Sequence, residues 1–164
     1  MIPAHFPVWM TAFFLLTGCS NYQLGSGSHE IHRIEILPVR NSATVPGIHG
    51  VLQQALVATL NTDKRIRLES GDETLEVEVT SYTRKAVTRS TSDALEAGQF
   101  RVTLSAVCTL GSKDKQKVRF AQRTFTASAI LAAAGDLSSE ERQALPRLAT
   151  EIATQIRDAS VGSW

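Results

Sequence analysis

The sequence predicts an α+β domain: a two-layer sandwich in which two amphipathic helices pack on a mostly antiparallel sheet of about four strands. Three observations carry this. Apolar residues alternate with polar ones over long stretches between Glu73 and Leu110, they recur at three-and-four spacing from Ile48 to Leu60, and they do so again near the C-terminus. Two helices with one apolar stripe each can cover one face of such a sheet, leaving the other face to solvent.

The elements follow in order. In Ile31–Val39, Ile34 and Ile36, with Pro38, alternate with Arg33 and Glu35, which predicts a first strand closed by Pro38 and Asn41. Ile48, Val51, Leu52, Ala55, Leu56 and Leu60 form one helical face that stops near Asn61. A short strand with Ile66 and Leu68 on one face ends at Ser70-Gly71-Asp72. The clearest strand spans Glu73 to Val87, with Leu75, Val77 and Val79 opposed to Glu76, Glu78 and Thr80. After the polar connector Thr88–Gly98, the residues Phe100, Val102, Leu104, Ala106, Cys108 and Leu110 mark one face of a long strand. Its hairpin partner starts in phase at Val118 and Phe120, but Phe125, Ala127 and Ala129 have the opposite parity, which predicts a bulge near Ala121 or Gln122. Ser138 and Glu141 fit a capping box for a last helix with the stripe Leu145, Leu148, Ile152 and Ile156, which Pro146 should kink or restart.

Upstream of all this lies a different kind of segment. Phe6 to Leu16 is a mostly apolar run followed at once by Thr17, Gly18 and Cys19. That is too short for a membrane-spanning helix, which needs roughly 20 apolar residues, but it has the shape of a secretory signal ending at small residues. The Leu-Thr-Gly-Cys ending resembles a lipobox. Residues 1–18 are therefore expected to be a lipoprotein signal peptide, Cys19 the lipidated residue, residues 19–30 a Ser/Gly/Asn-rich tether, and residues 31–164 a single periplasmic domain. The n-region, Met1–His5, carries no Lys or Arg, a departure from the usual signal pattern. Ser20, rather than Asp, after the cysteine leans toward the outer membrane.

Composition narrows the function. Lys and Arg total 17 against 16 Asp and Glu, a net charge of +1, so there is no global field for nucleic acid. With Cys19 acylated, Cys108 has no disulfide partner, and its place on an apolar strand face reads as a small buried hydrophobe. His29 and His32 form an H-x-x-H at the start of a strand, where residues three apart point to opposite faces, so no metal site is expected. No nucleophile elbow, phosphate loop, zinc-protease motif or cofactor motif occurs, and nothing recommends an enzyme.

The lipobox LTGC followed by SNYQLG, the run IEILPVRN leading to VPGIHGVLQQALVATL, the phrase LEVEVTSYTRKAV, the strand FRVTLSAVCTL and the closing RLATEIATQIRDA together resemble the LPS-assembly lipoprotein family (LptE-like). The resemblance implies a non-catalytic α+β domain that sits in an outer-membrane β-barrel LPS-assembly protein (LptD-like) and assists lipopolysaccharide transport. Lipopolysaccharide presents phosphates, which basic side chains bind. Two basic clusters are candidates by charge: Arg84, Lys85 and Arg89 at the end of one strand, and Lys113, Lys115, Lys117 and Arg119 at a hairpin tip. Both could equally be charged loops that keep a sheet soluble. IEILPVRN and its helix also resemble the start of envelope regulators of the penicillin-binding-protein-activator or curli-secretion type, whereas the EVEVTSYT strand and simple hairpin favour the first family.

Overall fold

The computed structural model describes residues 31–89, 97–114, 116–132 and 137–162. The signal segment, Cys19, His29 and the tether, most of the 88–98 connector, Lys115 and residues 133–136 lie outside the described residues, as do the side chains of Thr88, Arg89 and Ala97. In chain order the elements are β1 (His32–Ile36), β2 (Arg40–Asn41), α1 (Ile48–Leu60), β3 (Ile66–Leu68), β4 (Glu73–Arg89), β5 (Ala97–Ser112), β6 (Val118–Ala132) and α2 (Leu137–Val161).

The α+β class holds, but the sheet differs from expectation in size and direction. Among the described residues it has six strands in the order β3-β1-β4-β5-β6, with β2 also on β4. β1 runs parallel to both β3 and β4, and β2 parallel to β4, so only β4, β5 and β6 form the antiparallel part. Alternation fixes which face a side chain takes but carries no information on the direction of the neighbouring strand. Here α1 returns the chain to the starting end of β1, so β3 is laid down parallel.

β1 and β2 are one strand broken in the middle. Pro38 supplies no N–H, and pairing lapses between Ile36 and Arg40 before β2 resumes it further along β4. The Val39 N–H left over at the break donates to Gln53 Oε1 of α1 at 3.0 Å, and Val39, not Pro38, is the residue buried there. From β3 the chain steps across β1 to begin β4, and Gly71 makes the crossing possible. A Cβ on Gly71 would lie 2.5 Å from both Cβ and the carbonyl oxygen of Arg33.

One core cluster joins the two helices to one face of the sheet. Leu52, Leu56 and Leu60 of α1, Leu148, Ile152 and Ile156 of α2, and Leu75, Leu104 and Leu110 of the sheet are fully buried. Each contributes about 1.5–3 kcal/mol of hydrophobic stabilisation. Cys108 lies among them and burial pushes its thiol up to about 12, as suits an inert packing residue.

Several register shifts interrupt the long strands, and two of them re-aim side chains near the basic clusters. The one in β6 falls where the parity change places it: Gln122 has φ 48° and its N–H donates to Thr109 Oγ1 at 3.1 Å. The one in β4, between Val79 and Ser81, was not anticipated, and it turns Tyr82 and Arg84 toward the helix side opposite Leu104 and Val102. α2 differs from expectation at its start. Ser138 lies inside the helix, and Glu141 reaches Arg84 instead of closing a capping box. The helix runs through Pro146 without restarting.

Candidate functional site

The long hairpin separates the two basic clusters. β4 carries Arg84, Lys85 and Arg89 toward its junction with β5, whereas Lys113, Lys117 and Arg119 lie at the β5–β6 turn, beside the start of β4. The two ends are roughly 35–40 Å apart at about 3.3 Å per residue. β1 also begins at the second end, because Ile34 pairs with Glu73, so the chain enters the domain there.

At the chain-entry end the basic residues are engaged. Arg119 is held three ways: Nε pairs with Glu73 Oε1 at 2.7 Å, one terminal nitrogen donates to the Ser160 carbonyl at 3.0 Å, and the other meets His32 Nδ1 at 2.7 Å. It thereby ties β6 to β4, β1 and the last turn of α2. Lys113 pairs with Glu35 at 2.7 Å and donates to Ser70 Oγ at 3.2 Å, and this lysine holds the Glu35 carboxyl below its usual range. The Ser112 hydroxyl, the Gln116 backbone N–H and the Lys117 charge do the same for Asp114 within the turn. Lys117 itself is exposed, and Lys115 lies outside the described residues.

At the far end Arg84 and Lys85 point to opposite faces. Arg84 pairs with Glu141 of α2 at 2.9 Å and stands over the Phe100 ring at 5.6 Å. Both Arg84 and Glu141 line a groove of about 540 Å³ between the β2–α1 loop, β4 and the first turns of α2. Tyr82 lies in the same groove. Its hydroxyl has no partner among the described residues, and burial, reinforced by the Glu141 charge, pushes it up to about 12. Lys85 projects from the uncovered face, where it is exposed opposite Arg101 of β5. Arg101 was not singled out in the sequence, and cross-strand register is the signal that finds it. No three His, Cys, Asp or Glu side chains among the described residues could hold a metal ion.

The uncovered face of the sheet was also missed as a candidate. Thr103 and Ser105 of β5 and Thr124, Thr126 and Ser128 of β6 form a band of hydroxyls on it, with Thr103 Oγ1 and Ser128 Oγ 2.8 Å apart. No described element packs over this band.

Solved structures share the fold at low identity. A minor lipoprotein from Acinetobacter baumannii is 14% identical with TM-score 0.55, over 79% of this chain and 91% of that one. The hypothetical protein CT253 from Chlamydia trachomatis is 11% identical with TM-score 0.56, over 79% and 97%. Lipoprotein B from Nitrosomonas europaea is 14% identical with TM-score 0.50, over 85% and 90%. No curated protein matches the chain. The class is thus a two-layer α+β fold that small bacterial lipoproteins adopt. Within it, residues 31–160 match the LptE model, lipopolysaccharide assembly, and the chain belongs to that family.

Proposed function

We propose that the chain is an outer-membrane lipoprotein, acylated on Cys19 and facing the periplasm, that associates with an LptD-like β-barrel and assists lipopolysaccharide transport without a chemical step of its own. The family supports the assembly role. The observation that carries the barrel is the uncovered hydroxyl band on β5 and β6. Barrel interiors are polar, and an uncharged band of Thr and Ser can lie against such a wall without desolvating charge.

An anchor at Cys19 holds the chain-entry end within about 40 Å of the membrane, the most that residues 20–30 can span. Arg84, Lys85 and Arg101 lie at the other end of the long hairpin. There a lipid phosphate would meet the exposed Lys85 and Arg101 directly, and would compete with Glu141 for Arg84. Lys113 and Arg119 have structural partners and serve the fold first.

The test is a mild-detergent pulldown of the full chain from native membranes, with bound proteins identified and bound lipid assayed for lipopolysaccharide. A large outer-membrane barrel in near-equal amount is the expected result. Recovery of peptidoglycan synthases, or of no barrel, would overturn the proposal.

A further inference from the structure

The groove between the β2–α1 loop, β4 and the first turns of α2 is built like a small-molecule site. Val45, Pro46, Leu145 and the Tyr82 ring supply apolar wall, while Arg84, Glu141 and Arg142 bring charge to it. Its volume of about 540 Å³ is in the range that holds one drug-sized ligand. The Tyr82 hydroxyl is buried without a partner among the described residues, whereas the grooves of similar volume beside Asp63 and beside Lys113 contain no such atom. A buried hydroxyl in that state is the exception in native proteins, and an acceptor carried by a ligand would satisfy it.

The groove already sets a carboxylate on Arg84. Glu141 meets Arg84 Nη1 at 2.9 Å, and the guanidinium lies 5.6 Å from the centre of the Phe100 ring, so it is held between β5 and α2. The Arg84 side chain is 49% exposed and that of Glu141 21%. Ion pairs this open to water contribute little to stability, so a second carboxylate can displace Glu141 at small cost. Charge sets the number: among the lining residues Arg84 and Arg142 stand against Glu141 alone, an excess of one positive charge that a monoanion balances. Arg142 Nε donates to the Ser138 carbonyl at 3.2 Å within its own helix, which leaves Arg84 as the cation poised between strand and helix. Tyr82 and Arg84 are two residues apart on one face of β4. The Tyr82 phenol, pushed up to about 12 by burial and then by the Glu141 charge, stays protonated and can serve an anion as a donor.

We propose that this groove binds a small apolar monocarboxylate, whose carboxylate replaces Glu141 on Arg84, beside the Tyr82 hydroxyl, while its body lies against Val45, Pro46 and Leu145. The site is on the helix side of the sheet, separate from Lys85 and Arg101 on the open face, and it requires neither a barrel nor an anchor.

The test measures binding of phenylbutyrate and of its neutral amide, phenylbutyramide, to the full chain in zwitterionic nanodiscs by ligand-detected NMR, with empty nanodiscs subtracted. The acid should bind about tenfold tighter than the amide, the difference that a charge-assisted hydrogen bond makes. Arg84→Gln should bring the acid down to the level of the amide. Glu141→Gln, which releases Arg84 and keeps the shape of the side chain, should tighten the acid about tenfold, and it keeps the test decisive should Arg84→Gln fail to fold. Lys85→Ala should change neither probe. No binding of the acid, equal binding of acid and amide, full binding by a folded Arg84→Gln or weaker binding by Glu141→Gln would each overturn the proposal. So would loss of binding in Lys85→Ala, which would put the anion on the open face.

Discussion

Arg119→Met tests whether a residue that charge alone marks as a ligand contact is instead a structural clamp. Methionine keeps most of the stem and removes every donor. Three interactions are lost, to Glu73, the Ser160 carbonyl and His32, and Glu73 is left with neither carboxylate oxygen partnered, since Oε2 already lacks a partner among the described residues. The Arg119 and Glu73 side chains are 30% and 19% exposed, so solvent offsets part of the loss. A hydrogen bond to a charged group contributes about 1.5–3 kcal/mol, and breaking a buried pair costs more than a surface one, so the expected cost is about 2–3 kcal/mol. For a domain of this size that lowers the thermal midpoint by about 6–12 °C, read by circular dichroism. Adding Glu73→Leu removes the stranded carboxylate and should recover about half of the loss. A single variant that melts within about 1 °C of the parent, or a double variant no better than the single, would refute the clamp.

Other outcomes follow from individual sites. Gly71→Ala should cost about 2–3 kcal/mol in a denaturant titration, because the new methyl group meets the Arg33 backbone and not a movable side-chain end. Tyr82→Phe should raise the unfolding free energy by about 1 kcal/mol, since it deletes a buried hydroxyl without a partner among the described residues; a loss of stability would mean that the hydroxyl is satisfied. The side-chain and backbone N–H groups of Arg65 hold Asp63 at about 2, below its ordinary 3.8. This lowered value contributes stability that is fully present above about pH 4 and lost as pH falls toward about 2, so Asp63→Asn should flatten that part of an acid titration of the midpoint. Cys108 should react with a thiol reagent only as fast as the domain unfolds, a rate that denaturant will raise.

Much of the fold was legible because its signals are local. The α1 stripe matches the buried residues Ile48, Leu52, Leu56 and Leu60, and the parity change after Phe120 located the β6 bulge. The β4 bulge left no such trace, since Ser81 to Lys85 contains only one apolar side chain to reveal a change of face. Parallel pairing was illegible because it depends on where α1 returns the chain. The ion pairs were illegible for the same reason: Glu73 and Glu141 stand 46 and 57 residues from the arginines they hold.

This separation of charge from partner bears on where the protein can meet a ligand. Counting basic residues makes the turn at Lys113–Arg119 the stronger site, yet there the cations face Glu35, Glu73 and Asp114. At the far end strand alternation divides two adjacent basic residues, and the β4 bulge sets which takes which face, sending Arg84 to Glu141 and the groove while leaving Lys85 beside Arg101 on the open face. Two cations facing each other across a strand pair repel unless an anion joins them. If a phosphate binds there, Lys85→Ala and Arg101→Ala should weaken lipopolysaccharide binding while leaving the unfolding free energy within about 0.5 kcal/mol of the parent, the reverse of the pattern expected for Arg119→Met. Binding unchanged in both variants would move the search to the groove around Arg84.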